Sequence, residues 1–256
     1  MPARLHIDLA LHPGLELDLP AGAARHVQVL RLQPGDALTL FNGRGGEWQA
    51  NVLRMGRSEV RVQVDAHLDV ERELPLAVTL AAVMPANDRY DWLIEKATEL
   101  GAAVIEPLMS ERSVLRLNAE RADKKRAHWQ AIAVASAEQC GRTRVPHVAP
   151  VRTLAAALAA SPAAGDGPAG TVGPVLTLAL SLTESRPLAE RLAQAGPGLR
   201  ALRIYSGPEG GFSPDEDAAL RRAGALPTTL GPRVLRAETA PLAVLGYLGN
   251  TPGLGT

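Results

Sequence analysis

The chain has 256 residues, 46% of them apolar and 21% charged, with 27 Lys and Arg balanced by 27 Asp and Glu. That length allows one large domain or two modest ones around a buried core, and the composition excludes wholesale disorder. The neutral balance excludes a global field toward nucleic acid or membrane, so any nucleic-acid contact must come from a local patch.

The single cysteine, Cys140, excludes an intrachain disulfide and a multi-cysteine zinc site and reads as a small buried thiol. Arg4, His6 and Asp8 stand where a signal peptide needs an apolar run. No segment reaches the roughly 18 continuous apolar residues of a membrane span, so a cytoplasmic protein without a membrane partner is expected. Three Trp, three Tyr and two Phe are too few for a surface that grips bases by serial stacking. The six histidines are scattered without ligand spacing, so no metal is expected.

Residues 1–73 are predicted to be β structure. Pro34-Gly35-Asp36 is a turn, Ala37 to Phe41 a strand, and Asn42-Gly43 a hairpin signal leading to Trp48 to Leu53. Val60, Val62 and Val64 alternate with Arg61, Gln63 and Asp65, the period of a strand with one wet face. Short strands at this spacing suggest a small barrel. The charged stretch Asp69 to Glu73 before Pro75 marks a domain boundary, and 74–256 form the second domain.

From Leu76 strands alternate with helices, the signature of an α/β domain with a parallel sheet. Strand Leu76 to Val83 precedes a helix that Asn87 can cap, with an apolar stripe of Leu93, Ile94, Ala97 and Leu100 and a stop at Gly101. Strand Ala103 to Leu108 follows, and Asn118 can cap a helix running to about Gln139. A helix near Leu154 to Ala160, a Pro, Gly and Ala-rich loop over 161–174, strand Val175 to Leu180 and helix Leu188 to Ala195 come next. Strand Ala201 to Tyr205, strand Leu226 to Leu230 and a closing helix from Thr239 to Leu248 complete the domain.

Three features carry chemistry. The sharpest is SGPEGGFSPDE, Ser206 to Glu216, in which Ser213, Pro214 and Glu216 make a complete capping box. It is therefore a strand-to-helix turn at a strand's carboxyl end, where open α/β sheets bind ligands, and Gly207, Gly210 and Gly211 leave backbone amides approachable. A tight turn that merely needs positive φ is the plainer reading. No Walker A pattern and no G-x-G-x-x-G opening a βαβ unit occurs, which argues against a nucleoside triphosphatase or a nicotinamide enzyme. The second feature, LGPRVLRAETA (Leu230 to Ala240), again joins a strand to a helix, and two such loops can face one pocket. Its Arg233 and Arg236 could equally be solvated arginines, and Glu238 a helix cap. The third is charge: between Ser110 and Arg144 eight basic residues face four acidic ones, a local net +4 able to hold an RNA backbone or simply to form a solvated helix face.

Together, IEKATELG (Ile94 to Gly101), SERSV (Ser110 to Val114), EQCGRTRVP (Glu138 to Pro146), GPEGGFS (Gly207 to Ser213) and LGPRVLRAETA resemble the bacterial small-subunit ribosomal RNA uridine-N3 methyltransferases of the SPOUT class. ARHVQVLRLQPGD (Ala24 to Asp36) is similar to that family's PUA-like RNA-binding barrel. The resemblance spans nearly the whole chain, with one departure at Ala237, where many members place a hydroxyl residue.

The resemblance implies an α/β fold class: a SPOUT-type knotted methyltransferase domain with a parallel sheet, over 74–256, preceded by a small PUA-like β-barrel over 1–73. A deep trefoil knot is something chain topology alone would argue against. It further implies bound S-adenosylmethionine, a homodimer, and 16S rRNA or the small ribosomal subunit as partner. Leu180, Ser181, Gly207, Gly210, Leu230, Gly231, Val234, Leu235, Arg236 and Ala240 would form the cofactor pocket. Arg25, Arg31, Arg112, Arg116, Lys124, Lys125 and Arg144 would contact RNA.

Uracil N3 bears an acidic imide proton, so once deprotonated it can attack a sulfonium methyl without a nucleophilic cysteine. Arg236 or Arg142 would stabilise charge on the uracil oxygens, and Glu138 or Glu209 would accept the proton. The target base must lie in a single-stranded or splayed-out segment. Two other readings stand: a SPOUT enzyme acting on a ribose 2′-hydroxyl or a transfer RNA guanine, and a non-catalytic ribosome-assembly factor.

Overall fold

The computed structural model describes residues 3–85, 88–160, 173–196 and 198–251. It divides into two compact units, one of Met1–Glu73 with Val134–Val145 and one of Leu74–Ala133 with Pro146–Thr256.

In the first unit, β1 (Ala3–His6), β2 (Glu16–Asp18), α1 (Ala21–Val29), β3 (Ala37–Phe41), β4 (Glu47–Met55) and β5 (Val60–Leu68) build a five-stranded sheet in the order β1-β3-β4-β5-β2. The β3 to β5 run is an antiparallel meander, and β1 joins β3 in parallel. Val60, Val62 and Val64 face the core with Leu5, Leu38, Leu40 and Val52, as the period of two requires. Among the described residues the pairing path is open, with β1 and β2 at its ends. Helix α1 was not anticipated: Pro20 stands at its N-cap without a side-chain bond, so no capping signal marks its start.

Segment Val134–Val145 is tied into this unit by polar contacts. Glu138 Oε1 accepts from His6 N at 2.7 Å, Arg4 donates to the Arg142 carbonyl at 2.9 Å, and Thr143 Oγ1 donates to Glu71 at 3.2 Å. Arg4 and Arg72 both bond Glu47. Burial alone would push the Glu47 carboxyl up, but the hydrogen bonds and charges of Arg72 and Arg4 hold it below its usual range.

The second unit contains β6 (Ala77–Val83), α2 (Arg89–Glu99), β7 (Val104–Met109), α3 (Ala119–Cys140, through Ala133), β8 (His147–Val148), β9 (Arg152–Thr153) and α4 (Leu154–Ala159). Then come β10 (Val175–Leu180), β11 (Arg186–Pro187), α5 (Leu188–Ala195), β12 (Ala201–Ser206), α6 (Pro214–Arg222), β13 (Leu226–Thr229) and α7 (Thr239–Gly249). Every strand pair here is parallel, in the order β11-β13-β10-β12-β6-β7-β8, with β9 also on β7. Parallel strands buried on both faces read as continuous apolar runs, and β6 is buried from Val78 to Val83.

Helix ends follow sequence chemistry. Asn118 Oδ1 accepts from Arg121 N at 3.0 Å, and Ser213 and Glu216 complete the expected capping box. Gly101, at φ +95°, closes α2 with a Schellman pair, Gly101 N to Thr98 O and Ala102 N to Ala97 O. The expected cap Asn87 lies outside the described residues, as does all but the end of the 161–174 loop. Cys140 is half-buried rather than fully enclosed. Among the described residues no helix is long and apolar enough to cross a membrane, and no group of three metal-ligating side chains comes together.

Candidate functional site

Three loops leave the same edge of the second unit's sheet because their strands are parallel neighbours. β10 ends at Leu180, β12 at Ser206 and β13 at Thr229, with β10 between the other two. This is the carboxyl edge at which open α/β sheets bind ligands. The loops enclose a cavity of about 630 Å³. Its walls are apolar at Leu180, Leu182, Pro208, Phe212, Leu230, Val234, Leu235 and Ala240, and charged at Arg112, Glu209, Asp217 and Arg233.

Each loop is held from behind. In the first, Ser181 N donates to Thr228 O at 3.0 Å and Ser181 Oγ accepts from Thr183 N at 3.1 Å. Arg221 of α6 pairs with Glu184 at 3.1 Å and Asp217 at 2.8 Å. Glu184 sits at φ +48°, a conformation that costs a non-glycine residue about 1 kcal/mol or more. In the second, Gly211 N donates to Pro208 O at 2.9 Å, closing a turn with Gly211 at φ +66°. A Cβ on Gly207 would meet the backbone of Phe212 at 3.2 Å and of Gly211 at 3.3 Å, so a side chain there would force that backbone to give by a few tenths of an ångström. In the third, Thr229 Oγ1 both accepts from Gly231 N and donates to Gly231 O.

Of the residues expected around a cofactor, Leu180, Ser181, Gly207, Leu230, Val234, Leu235 and Ala240 line this cavity. Gly210, Gly231 and Arg236 flank it without lining it, and Arg236 is exposed. Glu209 is on the wall, 3.4 Å from Arg89. Glu138 and Arg142 are engaged in the first unit, Glu138 with His6 N, and Arg142, 4% exposed, with Glu73. The structure does not gather the four proposed catalytic side chains around the cavity.

The basic residues are similarly dispersed. Arg25 and Arg31 are exposed on and just after α1, and Arg144 pairs with Glu71 at 2.9 Å. In the second unit, Arg116 donates to Glu111 O at 3.0 Å, Lys124 pairs with Glu120 at 2.7 Å, and Lys125 lies 3.9 Å from Asp91. Arg112, read from the sequence as part of this patch, donates to Gly210 O and lines the cavity instead. Arg89 was not singled out, nor were the wall residues Leu182, Phe212 and Asp217. Phe212 lies within the glycine-rich motif itself, and Leu182 and Asp217 adjoin residues already marked, whereas no local signal marks Arg89. Glu238 occupies the N-cap position of α7 without a capping bond, 3.9 Å from Arg89 Nε. Its buried Oε2 meets no donor among the described residues.

A family model described as an RNA methyltransferase domain matches residues 72–249, and one described as an RNA methyltransferase PUA domain matches 19–65. The ribosomal RNA small subunit methyltransferase E of Mycobacterium bovis is 36% identical over 221 residues, covering 86% of this chain and 80% of that protein. The chain belongs to this RNA methyltransferase family. The methyltransferase E family also includes a solved structure from Neisseria gonorrhoeae, bound to S-adenosyl methionine, at 31% identity and TM-score 0.85, with 97% of both chains covered. A methyltransferase from Legionella pneumophila with bound cofactor SAM aligns at 33% identity and TM-score 0.85, again over 97% of both chains. The fold class is accordingly a SPOUT-type α/β methyltransferase domain preceded by a PUA-like domain.

Proposed function

We propose that this methyltransferase uses S-adenosylmethionine to form 3-methyluridine in 16S rRNA of the small ribosomal subunit. The observation that carries the reading is the cavity on the edge of β10, β12 and β13, whose volume suits a nucleoside with a short charged chain. The lining fits the cofactor: aliphatic walls at Leu180, Leu230, Val234 and Leu235 suit an adenine ring, and the carboxylates of Glu209 and Asp217 complement a cation. Bound S-adenosylmethionine supplies a methyl group activated on a sulfonium. Ser181, Gly207 and Ala240 join the aliphatic residues in holding it, with Gly210, Gly231 and Arg236 shaping the loops.

Of the carboxylates weighed as proton acceptor, Glu209 is the one on the cavity wall and is assigned the uracil N3 proton. Charge on the uracil oxygens falls to Arg236, with Arg233 on the wall beside it; a preorganised donor of this kind is worth about 3 kcal/mol. Arg142 and Glu138 are not assigned these roles: neither lines the cavity, Glu138 Oε1 accepts from His6 N, and the Arg142 guanidinium is paired with Glu73. Residues 1–73 form the RNA-binding domain and 74–256 the methyltransferase domain, knotted at the loops of the cavity. Arg25 and Arg31 in the first and Arg116, Lys124, Lys125 and Arg144 in the second serve phosphate contacts. The active form is a homodimer.

The test is methyl transfer by purified protein onto small subunits from a strain lacking the enzyme, read by mass spectrometry of nucleosides. The expected product is 3-methyluridine. A methylated ribose or guanine would move the acceptor elsewhere, and RNA binding indifferent to the methyl donor, without transfer, would favour an assembly factor.

A further inference from the structure

The segment after β7 is bonded to the glycine-rich loop after β12 at two points and to the first turn of α6 at a third. Arg112 Nη1 donates to Gly210 O at 2.7 Å and to Phe212 O at 3.2 Å, and Glu111 N donates to Glu216 Oε1 at 2.8 Å. The two carbonyls that Arg112 engages belong to the peptide groups 210–211 and 212–213. The opposite ends of those same groups are also fixed, Gly211 N on Pro208 O at 2.9 Å and Ser213 N on Glu216 Oε2 at 2.9 Å. Each peptide plane is therefore pinned at both ends, so it cannot rotate without breaking a hydrogen bond. Without these bonds, glycine at both 210 and 211 would leave the 210–211 plane free of the side-chain restraint that limits other residues. Arg112 itself lines the cavity.

We propose that Arg112 is a positioning residue that preorganises the glycine-rich loop for the cofactor, and that its charge serves the loop rather than an RNA phosphate. This rests on the reading of the cavity as the S-adenosylmethionine site. A guanidinium donating to two main-chain carbonyls makes charge-assisted bonds, stronger than neutral ones, and a loop fixed before binding loses less freedom when the ligand arrives.

The test compares the wild type with Arg112→Gln and Arg112→Lys, using Arg116→Gln as the contrasting cationic variant. Amide hydrogen exchange without ligand should show Gly211 and Ser213 exchanging roughly tenfold faster in Arg112→Gln, the loss of about one such bond. Calorimetry should show S-adenosylmethionine binding roughly tenfold weaker, and kinetics a matching rise in the cofactor KM without a change in the RNA KM. Arg112→Lys, whose ammonium can still donate to both carbonyls, should recover most of each loss. Affinity for a 16S rRNA transcript and its salt dependence should stay at the wild-type level in Arg112→Gln, while Arg116→Gln lowers the salt slope by about one. Unchanged exchange and cofactor affinity in Arg112→Gln, with a weakened and less salt-dependent RNA complex, would overturn the proposal. Failure of the wild type to bind S-adenosylmethionine would reject the cavity's assignment, and the exchange rates would still decide whether Arg112 fixes the loop.

Discussion

Arg142 and Glu73 form a two-pronged ion pair in the first unit. Arg142 Nε donates to one carboxylate oxygen at 3.1 Å and Nη2 to the other, with 4% and 16% of the two side chains exposed. Removing one member of such a pair leaves an uncompensated buried charge and costs about 3–5 kcal/mol, whereas replacing both by apolar groups is often close to neutral. Arg142→Met should therefore lose about that much stability in urea unfolding, and Arg142→Met with Glu73→Leu should recover most of it. An Arg142→Met protein of normal stability that had lost turnover would instead restore the catalytic role that its motif suggested.

Gly207 and Gly210 look alike in the motif but differ in surroundings. A methyl group on Gly207 presses on the backbone of residues 211 and 212, while one on Gly210 meets only Arg112 Cδ, at an ordinary 3.6 Å. Overpacking against backbone costs about 1–3 kcal/mol. Gly207→Ala should weaken S-adenosylmethionine binding by about tenfold or more in calorimetry, and Gly210→Ala should change it little. The reverse order would mean that the loop is read at residue 210 and not built around residue 207.

What the sequence disclosed follows from how local each cause is. The capping box at Ser213 and Glu216, the stop at Gly101 and the alternation of Val60, Val62 and Val64 are set within a few residues, and the structure has all three. Seven of the ten residues expected around the cofactor line the cavity, because each motif ends a strand of one parallel sheet and those ends share an edge. Partners distant in sequence were not legible. The arginine at 112 reads as another positive charge until its bonds to residues 210 and 212 are seen, and Arg89 gains meaning only beside Glu209 and Glu238. Helix α1 escaped for the opposite reason, since it lacks even the local signal of a polar cap.

Asp91 of α2 gives the second unit a defined acid response. Burial would raise its carboxyl, but hydrogen bonds from His128 and Trp129, both at 2.8 Å, and the charges of Lys125 and His128 outweigh this and hold it below its usual value of 3.8. A carboxyl lowered in the folded state binds fewer protons there than in the unfolded chain. It therefore adds stability above pH about 4 that is lost as the pH falls toward the folded value. Asp91→Asn should flatten the acid limb of a stability-against-pH curve below about pH 4. A limb as steep as in the wild type would assign the acid response to other carboxylates.

The chain's eight aromatic residues are not distributed evenly between core and surface. Phe41, Trp48, Tyr90, Trp129 and Tyr205 are buried and Phe212 is half-buried; only Trp92 and Tyr247 are exposed, at 46% and 41%. Those two lie on α2 and α7, helices that pack against each other in the second unit. Large aromatic side chains left in water on adjoining helices lose the burial that makes them worth having, and they are the type most enriched at the energetic centres of protein interfaces. If Trp92 and Tyr247 lie where two copies of the methyltransferase meet, sedimentation of the wild type should give a dimer at micromolar concentration. Trp92→Glu combined with Tyr247→Glu should give a monomer with an unchanged circular dichroism spectrum, because charges buried at the contact repel while the fold beneath is untouched. A double variant that remains dimeric would place the contact on another face, and a monomeric wild type would remove the homodimer from the proposed function altogether.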